Sequence, residues 1–404
     1  VSAPTVTVRL THSAERLVRM EHPWLYAESI RSASREGEAG DLAVMFDHKQ
    51  KLLALGLWDP DSPIRIRVLH RGKPRPIDRT FFAERLRDAL AQRAELEAQG
   101  TNGFRVVNGE SDGLPGLVLD RYASTLVLKL YTAAWLPHLP EVRAAIDAEL
   151  APERLVLRLA RAIARTCEER AGLADGALLA GKPLDGPVIF RENGLRFRCD
   201  PVHGQKTGFF LDQRENRARA GELARGRRVL NAFSYTGGFS LYAARGGATE
   251  VVSLDSSRAA LDEARENFAL NAGLPEVARA AHGVVCEDAF GALARLHREG
   301  RRFELVVLDP PAFAKSRDEV GSALSAYARL AELGCGVLAK GGELVMASCS
   351  ARIDADALAG AVRKGSARAG RELDEWQRTA HALDHPVRFP EGAYLKCLWL
   401  RALS

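Results

Sequence analysis

No stretch of the 404 residues is apolar over the roughly 18 to 20 positions that a membrane-crossing helix needs, so no span and no membrane partner are expected. The amino terminus, VSAPTVTVRLTHSAERL, lacks a basic region followed by an apolar one, and no secretory signal is expected there. Six cysteines (167, 199, 286, 335, 349 and 397) are scattered without a CxxC or the paired spacing of zinc sites. That pattern predicts free thiols in a reducing compartment and no metal, hence a cytoplasmic protein. Strong charge of one sign is also missing. The formal net charge is +5, a mild excess that favours a polyanionic partner without identifying one. Of that excess, +3 falls within residues 1–75, which hold twelve Lys and Arg against nine Asp and Glu. A merely solvated basic surface explains the charge equally well.

What is present is ample apolar material, 46% of the chain against 27% charged, spread over a length that suggests two or three domains. Up to about residue 75 the short runs TVTVRL, DLAVMF, LLALGL and IRIRVL alternate with turns such as GEAGD and DPDSP, which predicts a small β-barrel or sandwich. The linker RGKPRPID follows. FFAERLRDALAQRAELEAQG then spaces Phe82, Leu86, Leu90 and Ala94 as one amphipathic helix ending at Gly100. LVLDRY and TLVLKLY read as paired strands, residues 140–175 as helical, and GPVIFRENGLRFRCDPVHG as a hairpin. Residues 76–200 are therefore expected to form a small α+β domain.

From residue 201 the rhythm is strand, turn, helix, repeated: RRVLNAF, SYTGG, FSLYAARGG, EVVSLD, SRAALDEARENFALNAG, GVVCEDAF and FELVVLDPP. Such alternation predicts a parallel, doubly covered α/β sheet over 201–404, with ligands at the carboxyl ends of its strands. The motifs sit at those ends. In NAFSYTGGFS, the turn carrying Phe233, Tyr235, Thr236, Gly237 and Gly238 opens a helix, so backbone can approach a ligand closely. It is not GxGxxG, which argues against a dinucleotide; plain turn glycines are the alternative. Asp255 ends EVVSLD where a carboxylate can take both ribose hydroxyls, although Asp255 or Ser256 would also serve as an N-cap. Asp288 in CEDAF stands one strand further, where an acid can meet an adenine amino group. Together these three ends outline a nucleoside pocket.

Two further ends carry different chemistry. In LDPPAFAKS, Pro310 and Pro311 stiffen the backbone and remove two donors, so Asp309 and Phe313 can be aimed at a flat ring, unless the segment is simply a structural turn. In LVMASCS, Cys349 follows a strand, where a thiol is either buried filling or a nucleophile.

The run GQKTGFFLDQRENR (204–217), NAFSYTGGFS, VVSLDSS, LDPPAF and SCS resembles the class I S-adenosylmethionine-dependent methyltransferases. More narrowly it resembles the large-subunit ribosomal RNA methyltransferase I family, which forms 5-methylcytosine. HPWLY (22–26) is similar to that family's amino-terminal PUA domain, NGESDGLPGLVLDRY (108–122) to its central domain, and PEGAYLKCLWL (390–400) to its carboxyl end. The resemblance implies a Rossmann-like methyltransferase domain over 201–404, a PUA-like RNA-binding domain over 1–75 and a central domain over 76–200. It also implies S-adenosylmethionine as cofactor, ribosomal RNA as partner and, as one option, a homodimer. Asp212, the 233–238 turn, Asp255, Ser256, Asp288 and Asp309 would hold the cofactor; Lys206, Pro310, Pro311 and Phe313 would contact the substrate. Cys349 would be the nucleophile and Asp309 its partner at nitrogen 3 of cytosine. Two departures stand out. Asn231 occupies a strand end where many class I enzymes have an acid, leaving the cofactor ammonium to Asp212 or to backbone carbonyls, and residues 155–181 do not follow the family's usual central domain. Methylation of an adenine or guanine nitrogen is the nearest alternative, and a non-catalytic RNA-binding protein with a relic cofactor fold is a further one.

Overall fold

The computed structural model describes residues 4–314 and 316–403. Lys315 of the LDPPAFAKS motif and the outermost residues of the expected first and last domains lie outside the described residues. The chain gathers into two compact units. One runs to Gly194 and adds Cys199–Leu211 and Leu383–Phe389; the other comprises Leu195–Arg198, Asp212–Ala382 and the residues from Pro390 on.

Within the first unit, the four strands expected up to residue 75 appear as Thr5–Leu10, Leu42–Phe46, Leu52–Trp58 and Ile64–Arg71, in a six-stranded sheet completed by Trp24–Tyr26 and Ile30–Ala33. A helix not expected from the sequence, His12–Arg19, begins where the Thr11 hydroxyl accepts the Ala14 N–H, and it buries Ala14 and Val18. The single helix expected from Phe81 to Gly100 is instead two, Arg79–Ala91 and Ala94–Ala98. The break is at Arg93, whose buried guanidinium donates to the Ala89 carbonyl at 3.0 Å and to both Asp112 oxygens at 3.1 and 2.6 Å. Satisfying that charge outweighs one more turn of helix.

A second sheet of five strands includes the expected antiparallel pair Leu117–Tyr122 and Thr125–Leu130. Inside the stretch expected to be helical, Arg154–Leu159 is a strand running parallel to Thr125–Leu130, between helices Leu139–Leu150 and Arg161–Ala171. Leu155, Val156, Leu157 and Leu159 are buried there, so sheet packing overrides the helical bias of the surrounding Ala and Arg.

The second unit is built on a seven-stranded sheet. Its strands are β1 (Arg228–Ala232), β2 (Glu250–Asp255), β3 (Ala281–Cys286), β4 (Phe303–Leu308), β5 (Leu338–Ser348), β6 (Leu373–Thr379) and β7 (Lys396–Ala402). The helices that concern the site are α1 (Arg214–Leu223), α2 (Gly238–Arg245), α3 (Arg258–Leu270), α4 (Ala289–Arg298), α5 (Val320–Val337) and α6 (Ala355–Arg368). The sheet order is β3-β2-β1-β4-β5-β7-β6. β7 runs antiparallel to β5 and β6, and the β1 to β5 pairings are parallel. FELVVL of β4 and LVMAS of β5 are almost continuously buried, as strands covered on both faces must be. Successive strands proceed outward from β1 to β3, then resume on the other side of β1 with β4. The crevice at the carboxyl ends of β1 and β4 is therefore the switch point where α/β sheets bind ligands.

Candidate functional site

The turn after β1 has an unusual backbone. Phe233 and Tyr235 have φ of 59° and 46°, and Gly237 has 78°. Left-handed conformations at two aromatic residues cost on the order of 1 kcal/mol each or more and persist only where surrounding bonds enforce them. Here the Ser234 N–H donates to the Leu254 carbonyl at 3.0 Å, the Tyr235 N–H to Asp255 Oδ2 at 2.8 Å, and the Gly237 N–H to the Ser234 carbonyl at 2.9 Å. Asn267 of α3 donates its side-chain N–H to the Thr236 carbonyl at 2.9 Å. Gly237 is required twice over, by its φ and because a Cβ there would lie 2.9 Å from the Ala264 methyl. Gly238 begins α2. Three buried polar atoms around this turn, Asn231 Oδ1, Ser234 Oγ and Thr236 Oγ1, have no hydrogen-bond partner among the described residues. Orphaned acceptors and hydroxyls clustered at a strand end are what a polar ligand would satisfy.

Asp255 stands half-buried at the end of β2, with Oδ2 on the Tyr235 N–H and Oδ1 on the Ser257 N–H at 2.9 Å. It therefore ties the β1 turn to the start of α3. The helix cap is neither Asp255 nor Ser256 but Ser257, whose hydroxyl accepts the Ala260 N–H. Exposed Ser256 offers its carbonyl to the Cys286 thiol. Asp288 does serve as a cap: its Oδ2 accepts the Gly291 N–H at 2.9 Å and starts α4. Asn231 donates to Ser240 Oγ at 2.9 Å, and from there a polar chain crosses to Ser253 Oγ (2.7 Å) and on to His282 Nε2 (2.9 Å). The His282 ring stacks on Phe268 at 3.7 Å. Burial, assisted by the Arg265 charge, pushes His282 down to about 4, so it is neutral at pH 7. Asp212 is buried, its Oδ2 accepting the Tyr394 hydroxyl at 2.8 Å.

Beyond β4 the chain turns through Asp309, half-buried, then buried Pro310, exposed Pro311 and half-buried Phe313. Phe313 packs on Tyr327 of α5 with ring centroids 4.9 Å apart. Half-buried Cys349 follows β5, and the next residue fastens the two strand ends together: Ser350 Oγ donates to the Ala314 carbonyl at 3.0 Å. The Tyr327 hydroxyl shares a 2.8 Å hydrogen bond with Ser348 Oγ. Burial pushes Tyr327 up to about 12, Ser348 opposes the rise, and nearby Cys349 and Asp309 both reinforce it. Tyr327 thus lies within the electrostatic reach of both Cys349 and Asp309. On the far side, Lys396 of β7 donates its ammonium to the carbonyls of Ser350 and, at 2.9 Å, Tyr394. Neither Tyr327 nor Lys396 is singled out by sequence reasoning. Lys396 lies inside the quoted PEGAYLKCLWL, but only the β5–β7 register, which sets it opposite Ser348, brings it to the thiol.

Lys206 belongs to the first unit, where its ammonium lies 4.4 Å over the Phe210 ring and its carbonyl accepts Lys129 Nζ at 3.3 Å. Cys286 is the other partly exposed thiol, while Cys167, Cys199, Cys335 and Cys397 are buried. Burial raises Cys335 to about 12 and Cys397 further still. Among the described residues one group has metal-compatible spacing, His12, Glu15 and His48. Its carboxylate already accepts the His48 N–H at 2.9 Å and meets its ring nitrogen at 3.0 Å, with Arg19 3.8 Å away, so a cation would have to displace these contacts.

Comparisons with known proteins fit this geometry. Residues 160–400 match the model of an S-adenosylmethionine-dependent methyltransferase family, and residues 8–71 that of a PUA-like domain. A ribosomal RNA large subunit methyltransferase of Deinococcus radiodurans is 50% identical, covering 99% of this chain and 98% of that protein. A ribosomal RNA large subunit methyltransferase I of Shewanella amazonensis is 37% identical over 98% of this chain and 99% of that one. Among solved structures, a methyltransferase complexed with SAH has a TM-score of 0.81 at 20% identity, with 99% of this chain and 100% of that chain covered. Another, from Streptococcus mutans, has a TM-score of 0.80 at 20% identity, covering 98% and 99%. At that identity the structural likeness establishes the fold, a PUA-like segment followed by a class I methyltransferase sheet. The near full-length sequence matches and the family model go further: this chain belongs to the ribosomal RNA large subunit methyltransferase I family of S-adenosylmethionine-dependent enzymes.

Proposed function

We propose that this chain methylates carbon 5 of a cytosine in large-subunit ribosomal RNA, using Cys349 as a covalent nucleophile. The observation that carries the reading is the pairing of two strand ends: a half-exposed thiol on one, the Asp309–Phe313 segment on the other, fastened by the Ser350 hydroxyl on the Ala314 carbonyl. The names of the relatives supply ribosomal RNA as substrate, and the PUA-like segment is the candidate RNA grip.

The residues at the β1 and β2 ends fit the cofactor. Phe233, Ser234, Tyr235, Thr236, Gly237 and Gly238 would cradle its methionine part, where the orphaned Thr236 and Ser234 hydroxyls lie. Asp255 and Ser256 would take the ribose, since each Asp255 oxygen retains a lone pair beyond its N–H bond. Asp288 would meet the adenine through Oδ1, its other oxygen being spent on the cap. Asp212 is the candidate for the ammonium. When bound, S-adenosylmethionine supplies an electrophilic methyl group on a sulfonium.

The protein's share is to make carbon 5 nucleophilic. The Cys349 thiolate adds to carbon 6, forming a C–S bond, and the ring's 5,6 π pair becomes available at carbon 5. Asp309 hydrogen-bonds or protonates nitrogen 3, stabilising the charge that the addition develops. Pro310, Pro311 and Phe313 would flank the ring, with Lys206 on the RNA. After methylation the carbon 5 proton passes to a base, the C–S bond breaks, and the thiolate leaves with its electron pair.

RNA carrying 5-fluorocytosine tests this, because fluorine replaces the proton that must leave. The parent enzyme should stall as a stable protein–RNA adduct whose cross-linked peptide contains Cys349, and Cys349→Ala should give neither adduct nor 5-methylcytosine. Methylation by Cys349→Ala at the parent rate would exclude the mechanism and leave methylation of a ring or exocyclic nitrogen.

A further inference from the structure

A thiol at a strand end attacks only as its anion, and a cation beside it is the usual means of forming that anion at neutral pH. Lys396 occupies such a place. It faces Ser348 in the β5–β7 ladder, and its ammonium reaches along the strand end to the carbonyls of Ser350 and Tyr394. Both partners are neutral acceptors. Among the described residues no carboxylate oxygen is within 4 Å of Lys396 Nζ, so its charge is not cancelled by an ion pair. Burial holds this ammonium below the ordinary lysine value, while the fields of Cys349 and Asp354 work the other way. A half-buried, unneutralised cation fixed on the residue that follows a thiol acts on it through a low-dielectric path.

Tyr327, Asp309 and Asp354 bring no positive charge to Cys349. Tyr327 of α5 is held neutral. Asp309 after β4 and Asp354, which caps α6, are acids and carry no positive charge in either protonation state. Arg352 is exposed, where solvent and salt screen it. We propose that Lys396 is a positioning residue that stabilises the Cys349 thiolate, the thiol proton passing to water before the base arrives. The proposal rests on the reading of Cys349 as nucleophile and extends it.

The test uses the full chain without RNA, so it is independent of that reading. Alkylation of Cys349 by iodoacetamide, followed on its own peptide by mass spectrometry, is titrated between about pH 5 and pH 10, where ordinary and perturbed thiols ionise. Lys396→Gln removes the charge but keeps an N–H donor for the two carbonyls; Lys396→Met removes both, and Lys396→Arg keeps the charge. S-adenosylmethionine binding by calorimetry shows which variants are folded, and at least one neutral variant that binds it is compared. The expected result is a midpoint about one unit higher in Gln and Met, slowing alkylation at neutral pH about tenfold, with Arg near the parent. A parent-like midpoint in the neutral variants, or an equal rise in Arg, would overturn the proposal. An RNA adduct absent from the parent would instead remove the nucleophile reading while leaving the measured midpoint intact.

Discussion

At the end of β1 the backbone does the organising, whereas at the end of β5 side chains from several elements do it. The β1 turn is set by three N–H groups, two left-handed aromatic residues and Gly237, with Asp255 accepting from the main chain on both oxygens. The β5 end is assembled from the Ser348, Cys349 and Ser350 run, Tyr327 of α5, Lys396 of β7 and the segment after β4. A backbone cradle recognises a ligand of fixed shape at little cost in side-chain ordering. A side-chain cluster can tune charge and reactivity. That division suits one end to a cofactor and the other to covalent chemistry on a base.

The sharpest way to break the comparison is to exchange the readouts. Cys349→Ala should lower methylation by at least about 10^3-fold while leaving cofactor affinity, measured by calorimetry, at the parent value. A comparable loss of cofactor binding in that variant would mean that the two ends are not separable.

The next largest effect concerns the polar chain beneath the β1 turn. His282 is pushed down to about 4 from an ordinary value near 6.5, so the folded state disfavours its proton. Its contribution is fully present above pH 6.5 and is lost as pH falls toward 4, up to about 3 kcal/mol. Urea unfolding of the parent and His282→Phe across this window should show a shallower pH slope in the variant. Parallel slopes would show that His282 does not titrate with folding.

Asp255→Ala should weaken S-adenosylmethionine binding by about 1.5 to 3 kcal/mol, the scale of a lost charged acceptor, with Cys349 alkylation unchanged. Unaltered calorimetric affinity would remove Asp255 from the cofactor's contacts.

The same contrast explains what could be read from sequence. The cradle is contiguous: Phe233 to Gly238 form one turn and Asp255 ends the next strand, so local spacing and turn chemistry suffice to locate it. The β5 end draws on positions 309, 327, 349 and 396: the parallel β4–β5 pairing and α5 bring the first three together, and Lys396 joins them only because β7 lies antiparallel beside β5 with Lys396 opposite Ser348. Register across a sheet is not a local property, which is why Cys349 and Asp309, each at the end of its own strand motif, stand out in the sequence and Lys396 and Tyr327 do not. A similar limit hid the strand Arg154–Leu159, whose partner lies some thirty residues earlier, and the helix break at Arg93, which depends on Asp112. Even within the cradle the capping residue is Ser257, one position past Ser256 and two past Asp255, and Asp255 is instead occupied by the Tyr235 and Ser257 N–H groups.

The smallest predicted effect examines the cradle's orphaned atoms. Thr236 is buried and its hydroxyl lacks a partner among the described residues, whereas its carbonyl is held by Asn267. Thr236→Val keeps the shape and removes only the polar atom. An unsatisfied buried hydroxyl costs about 1 kcal/mol or more, so the ligand-free variant should be more stable than the parent by about that amount in thermal or urea unfolding. If the hydroxyl meets S-adenosylmethionine, the variant should also bind it more weakly by about 1 kcal/mol, and the stability difference should shrink as cofactor is added, since ligand binding stabilises in proportion to affinity. A ligand-free variant less stable than the parent would mean that the hydroxyl is already satisfied. Increased stability with unchanged affinity would instead mark Thr236 as a packing residue and narrow the cradle to its backbone, Ser234 and Asn231.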